Sequence, residues 1–110
     1  MTQIVNTRVC LSEPLLRLAA EIAPYWGVSC EDLITSNNQT SLRARRAWYL
    51  VITERYGWTY GELARVLNRD ATATETQLNR ARVERNGTRY TWPWGAMFEA
   101  GITGWIRGGE

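Results

Sequence analysis

The side chains that could do chemistry are concentrated between Gly57 and Arg82, in the run GWTYGELARVLNRDATATETQLNRAR. Threonine, asparagine and glutamine side chains form hydrogen bonds, and arginine adds a permanent positive charge. These groups bind polar or anionic surfaces, and none of them is an obvious nucleophile paired with a base. The second half of the run holds most of them, namely Thr72, Thr74, Thr76, Gln77, Asn79, Arg80 and Arg82.

Catalysis and metal binding find little support in the rest of the chain. The sequence has no histidine, which removes the commonest general base and the commonest metal ligand. Its 11 acidic residues are scattered, and no nucleophile elbow of the Gly-x-Ser-x-Gly type occurs. Cys10 and Cys30 lie far apart without metal-ligand spacing, although a disulfide between them stays open. We therefore expect no enzyme activity, no cofactor and no bound metal.

Length and charge are compatible with one small nucleic-acid-binding protein. The 110 residues suffice for a modest core, and 45% of them are hydrophobic. The net charge is +2, and all 13 basic residues are arginine, which makes two-point contacts with phosphate and guanine. No apolar run is long enough for a membrane span, and the start lacks the apolar block of a signal peptide. We expect a cytoplasmic protein.

Two helices joined by a tight turn must position the polar run. Thr59 and Glu62 have the spacing of a capping box, and Asn68-Arg69-Asp70 predicts a turn. Asp70 or Thr72 can cap a second helix, from about Asp70 to Glu84. This pattern is typical of a helix-turn-helix, in which the second helix enters the major groove of DNA. The alternative is a helical hairpin with a solvated outer face.

The remaining pattern predicts an all-α fold, a compact helical bundle. A first helix, opened by Ser12-Glu13-Pro14, buries the stripe from Leu15 to Trp26 and stops at Gly27. A short helix, Cys30 to Ile34, has Ser29 as its cap, and a polar loop is predicted from Thr35 to Ser41. A long helix follows from about Leu42 to Tyr56, with Gly57 after its end.

Three arginines cluster at the start of this long helix, which is an unfavourable place for positive charge. Arg43, Arg45 and Arg46 oppose the helix dipole at a cost of some tenths of a kcal/mol each. A nearby polyanion such as DNA would explain the cluster. A solvated surface face is the alternative.

In this order the motifs resemble the C-terminal DNA-binding domain of the bacterial replication initiator DnaA, which has a Trp-repressor-like helix-turn-helix. The similar segment runs from about Ile22 to Arg82 and includes IAPYWGVSCEDLI, SLRARRAWYLVITERYGW, TYGELARVL and RDATAT. The family's histidine is Ala71 here, and the turn is one residue shorter. The chain also lacks the GxxxxGK[ST] loop of an ATP-driven initiator.

The resemblance implies roles for individual residues. Arg43 would enter the minor groove, with Arg45 and Arg46 beside it on the phosphate side. Bases would be contacted by Asp70 and Thr72, and Thr59 and Tyr60 would contact the backbone and a thymine methyl group. With the neighbouring polar side chains, the predicted DNA-binding residues are Arg43, Arg45, Arg46, Thr59, Tyr60, Arg69, Asp70, Thr72, Thr74, Thr76, Gln77 and Arg80.

The tail after the turn signal Asn86-Gly87 is aromatic and lies outside the resemblance. We divide the chain into a DnaA-like domain, residues 1–85, and a C-terminal extension, residues 86–110. The extension's apolar stripe either packs over the domain or forms a homodimer interface; it could also bind a protein partner, which would make the chain a protein-interaction module. The stripe has helical spacing and consists of Trp94, Met97, Phe98, Gly101, Ile102 and Trp105.

Overall fold

The computed structural model describes residues 13–88 and 93–102, and these ranges contain six helices. These ranges contain no strand, so the predicted all-α fold is confirmed. The predicted N-terminal arm, Met1 to Cys10, and the predicted cap Ser12 lie outside the described residues. In chain order the helices are α1 (Glu13–Trp26), α2 (Cys30–Thr35), α3 (Gln39–Tyr56), α4 (Tyr60–Leu67), α5 (Ala71–Thr88) and α6 (Trp94–Glu99).

Helix α3 lies at the centre and packs against α1, α2, α4 and α5. Every residue from Ala47 to Thr53 is buried, which is the pattern of a core helix rather than of an amphipathic surface helix. The Trp48 ring is fully buried, and its Nε1–H donates a hydrogen bond of 3.0 Å to the carbonyl of Leu15 in α1. The predicted buried face of α1 is confirmed from Leu15 to Trp26.

The predicted polar loop from Thr35 to Ser41 is wrong at both ends. Helix α2 continues through Thr35, and α3 begins at Gln39, so only residues 36–38 separate the two helices. The reason is a local cap: the Asn38 side chain accepts a hydrogen bond of 2.8 Å from the Ser41 N–H. This cap recruits three polar residues into the first turn of α3.

The turn predicted at Asn86-Gly87 is also wrong, because α5 continues to Thr88. The end of α5 is anchored by Arg85, which is buried and forms an ion pair with Glu54 of α3. A tertiary contact of this kind outweighs the weak turn preference of the two residues that follow it.

The C-terminal helix is shorter than its apolar stripe predicted. Helix α6 ends at Glu99, and Gly101 adopts a left-handed backbone with φ of +82°. The N–H of Ile102 then donates to the carbonyl of Met97, which closes the helix end.

The described part of this stripe packs into the core. Trp94, Met97 and Ile102 are buried, and Phe98 is half-buried. The Trp94 ring meets Trp26 edge to face, with centroids 6.0 Å apart. Trp105, the last residue of the predicted stripe, lies outside the described residues.

Among the helices of the described ranges, none combines the length and the apolar character that crossing a membrane requires.

Replacing Gly57 and Gly87 by alanine should change the free energy of unfolding in opposite directions. Gly57 follows α3 with φ of +70°, where a Cβ atom costs about 1–2 kcal/mol. Gly87 lies within α5 with open space around its Cα, so alanine there should stabilise by about 0.5–1 kcal/mol. Urea unfolding followed by circular dichroism measures both changes. Equal losses in the two variants would contradict the assigned helix ends.

Candidate nucleic-acid interface

Helices α4 and α5 are joined as the sequence predicted. The Thr59 hydroxyl accepts from the Glu62 N–H at 3.1 Å, and the Glu62 carboxylate accepts from the Thr59 N–H at 2.8 Å. The predicted capping box is therefore confirmed. Only residues 68–70 separate the two helices.

The turn owes its shape to a left-handed residue. Asn68 has φ of +57°, a conformation that asparagine tolerates better than most residues. The N–H of Arg69 donates 2.8 Å to the carbonyl of Ala64, which closes the end of α4. Asp70 then caps α5, because its carboxylate accepts from the Ala73 N–H at 2.9 Å. Thr72, the other predicted cap, lies inside the helix.

Helix α5 places its polar residues on two different faces. Its inner face is formed by Thr74, Leu78, Ala81 and Arg85, all buried, at helical spacing. Thr74 was predicted to contact DNA, but it is only 2% exposed, and its hydroxyl donates to the Asp70 carbonyl at 2.9 Å. The structure therefore corrects the exposed position expected for Thr74.

The outer face of α5 carries the exposed members of the predicted set. Thr72, Thr76 and Arg80 are exposed, and Gln77 is half-buried. Thr72 and Thr76 are one turn apart, and the Thr76 hydroxyl donates to the Thr72 carbonyl at 3.1 Å. These side chains form a polar strip along one side of the helix.

Arg45 does not join that strip. It is 5% exposed, and its Nε–H donates 2.8 Å to the carbonyl of Leu33, while Nη2 donates to the carbonyl of Ser36. These two carbonyls lie at and just after the C-terminal end of α2, where positive charge is favourable. Burial and the charges of Arg69 and Arg46 lower its pKa, although the group remains protonated. The surface role expected for Arg45 is thus corrected to a structural one.

Arg43 lies between α1 and α5. Its guanidinium forms a two-point contact with the Glu84 carboxylate, with Nη2 to Oε2 at 2.8 Å and Nε to Oε1 at 3.3 Å. It also stacks 5.0 Å from the centroid of a Trp26 ring. The pair raises the pKa of Arg43, mainly through the hydrogen bond to Glu84. The side chain predicted to enter the minor groove is therefore paired with a carboxylate in the free protein.

Arg46 connects α3 to the polar strip. Its Nε–H donates to the Gln77 amide oxygen, and burial, then the charge of Arg80, lowers its pKa. An open groove along this side of α5 is lined by Arg46, Thr76, Asn79, Arg80, Val83 and Glu84.

A second, narrower cavity lies between Arg46 and the start of α5, and Arg69 also lines it. Arg46 of α3, Arg69 of the turn and Arg80 of α5 therefore share one surface with the polar strip. We call this surface the arginine face and define it by Arg46, Arg69, Thr72, Thr76 and Arg80.

Thr59 and Tyr60 are exposed at the start of α4. Within the described ranges, no hydrogen bond or ion pair connects either of them to the arginine face. Their predicted contact with DNA stays a prediction.

Three residues that line the groove were not predicted from the sequence as site residues, namely Asn79, Val83 and Glu84. Val83 is 72% exposed and contributes an apolar side chain to this mostly polar groove. The signal was present, because Asn79 and Val83 follow Thr76 at spacings of three and seven.

Comparisons with known proteins do not assign the chain to a family, because no family model, no curated protein and no solved structure matches it. The similarity to the DnaA domain rests on the sequence motifs alone.

Arg45→Ala should lower the free energy of unfolding by about 2–3 kcal/mol, since it leaves two carbonyls without their donor in a poorly hydrated place. Arg65→Ala is the control, because Arg65 is exposed on α4 and forms no ion pair with a described residue. It should change stability by less than about 0.5 kcal/mol. Chemical denaturation measures the free energy of unfolding of both variants. If Arg45 were exposed, Arg45→Ala would lose no more stability than the Arg65→Ala control.

Proposed function

We propose that the chain is a sequence-specific double-stranded DNA-binding protein, a small regulator of transcription or replication. Helix α5 enters the major groove with Thr72 and Thr76 toward the bases. Arg46, Arg69 and Arg80 contact phosphates on either side. Helices α4 and α5 act together as a helix-turn-helix.

The observation that carries the proposal is the composition of the arginine face. Arg46, Arg69 and Arg80 form no ion pair with any carboxylate in the described residues, while hydroxyl groups lie exposed between them. Positive charge that flanks neutral hydrogen-bonding groups matches a duplex, where phosphates flank the base edges. The major groove is about 12 Å wide and admits one helix.

Length and surface of α5 fit the same role. The helix has 18 residues, which corresponds to about 27 Å, or five turns. Its buried residues hold it against α3 and α4, so its outer face is presented on a rigid support. A rigid recognition helix loses little conformational entropy on binding.

The competing function, a protein-interaction module that uses the aromatic C-terminal face, receives no support from the described residues. That function requires an exposed apolar surface. Trp94 and Met97 are nearly inaccessible, and Ile102 is buried as well.

Selection of bound sequences from a random duplex pool tests the proposal directly. We expect enrichment of a short motif, and an affinity for it that falls steeply with salt concentration. A pool that stays random, together with no salt-sensitive gel shift on any duplex, would refute DNA binding.

Thr72 and Arg80 should affect binding in different ways. Thr72→Ala should lose about 1–3 kcal/mol of discrimination at one base pair, because a base contact is removed. Thr72→Ser keeps the hydroxyl and is the matched control. Arg80→Ala should weaken binding to all duplexes alike and reduce the slope of log affinity against log salt by about 0.9. Fluorescence anisotropy on selected and scrambled duplexes measures both effects. If Thr72→Ala loses the same affinity for both duplexes, Thr72 does not contact a base.

Glu84→Gln should strengthen binding to all duplexes. The carboxylate holds Arg43 in the free protein, and neutralising it releases a guanidinium for phosphate. The salt slope should become steeper by about 0.9, the value for one added phosphate contact. Glu21→Gln is the control for net charge, since Glu21 is exposed on α1 and makes no ion pair with a described residue. If the two variants gain equal affinity and keep the same slope, Arg43 is not restrained by Glu84.

A further inference from the structure

A cavity of about 120 Å³ lies between α3 and the start of α5. This volume is large enough for a small ligand, since a single water molecule needs only about 10–15 Å³. Its lining includes Arg45, Arg46 and Arg69, and no carboxylate of the described residues contributes to it. The complete lining is Leu42, Arg45, Arg46, Tyr49, Arg69, Ala73, Thr74 and Gln77.

Tyr49 supplies an independent indication of a ligand. Its side chain is 4% exposed and lines the cavity, yet its hydroxyl makes no hydrogen bond within the described part of the chain. The hydroxyl oxygen is not among the fully enclosed polar atoms without a partner, so it is accessible from the cavity. Burial raises the pKa of Tyr49, and the charges of Arg69 and Arg45, which line the same cavity, oppose that change. At neutral pH the hydroxyl can donate a hydrogen bond, and no described residue accepts one from it.

The charges around the cavity repel one another. The pKa of Arg45 is lowered by burial and also by the charges of Arg69 and Arg46. The pKa of Arg46 is lowered first by burial and then by Arg80, which lies outside the lining. The start of α5 also lines the cavity through Ala73 and adds the positive end of a helix dipole. An anion in this place would relieve the repulsion and accept from the Tyr49 hydroxyl.

The geometry points to an oxyanion site in this cavity, built for one phosphate group held by Arg46, Arg69 and the Tyr49 hydroxyl. Arginine and hydroxyl donors are the groups that bind phosphate oxygens in proteins. The phosphate has two sources, a DNA backbone or free inorganic phosphate. Only the first source rests on the proposed function.

The first arm of the test uses inorganic phosphate and the intact chain. At constant ionic strength, phosphate should raise the melting temperature more than chloride does, because a ligand of the folded state stabilises it. Tyr49→Phe removes only the hydroxyl and should weaken phosphate binding, measured by calorimetry, about tenfold. Arg69→Gln should do the same, while Arg65→Gln, an exposed α4 residue outside the lining, should leave it unchanged. Melting in chloride alone checks that each variant is folded.

The second arm measures duplex affinity of the same variants. Weaker DNA binding by Tyr49→Phe and Arg69→Gln, but not by Arg65→Gln, assigns the site to a backbone phosphate. Weaker phosphate binding with unchanged DNA affinity assigns it to free phosphate. If the wild type binds no duplex at all, the proposed function fails and the first arm alone decides the site. The site is refuted if Tyr49→Phe and Arg69→Gln bind phosphate and duplex DNA as well as the wild type does. It is also refuted if the wild type binds neither phosphate nor DNA.

Discussion

The burial of helix α3 is the constraint on which both the fold and the arginine face depend. Successive residues of an α-helix are about 100° apart, so Arg43 and Arg46 differ by about 60°, whereas Arg45 is about 160° from Arg43. With the Trp48 side of α3 fixed in the core, Arg45 must enter the protein toward α2. Arg43 and Arg46 must then reach α5, where Glu84 and Gln77 meet them. The burial of α3 therefore determines both the packing of the core and the directions in which its three arginines point.

Arginine suits the partly buried positions of that helix better than lysine would. A lysine can lose its proton when it is desolvated, but a guanidinium stays charged and must find several acceptors. Arg45 finds them in the carbonyls of Leu33 and Ser36, so its charge also stabilises the end of α2. Among the described residues, the hydrogen-bond partner of Arg46 is the neutral amide of Gln77. The cluster thus keeps a positive potential that an equally crowded set of lysines would partly discharge.

Helix ends that depend on nearby residues were predictable from the sequence, and helix ends that depend on tertiary contacts were not. The caps at Ser29 and Thr59, the stop at Gly57 and the turn at Asn68 all depend on neighbours within five residues, and each is as predicted. The end of α5 depends on Arg85 meeting Glu54, some thirty residues away, which no local pattern encodes.

In the candidate site, two errors came from helix geometry that the sequence does contain. The position of the turn before α5 was predicted, but the split of its threonines between two faces was overlooked. Thr74 follows Thr72 by two residues, which rotates it about 200° around the helix and into the core. Arg45 was misplaced for the same reason, since a cluster of like residues suggested one shared face. Counting rotation from Trp48, a residue whose burial was predicted, would have separated it from Arg43 and Arg46.

The partners of Arg43 and Arg46 imply that the two would contribute unequally to binding an anion. Each side chain carries roughly 2 kcal/mol of rotamer entropy when free, and the observed hydrogen bonds already restrict both of them. For Arg46 this restriction is favourable, because Gln77 is neutral and leaves the charge uncompensated. For Arg43 the benefit of this restriction is offset by a cost, because a phosphate must first replace the Glu84 carboxylate. The resemblance to DnaA predicts a minor-groove contact for Arg43, but its pairing with Glu84 makes Arg46 the better placed of the two to bind an anion in this chain.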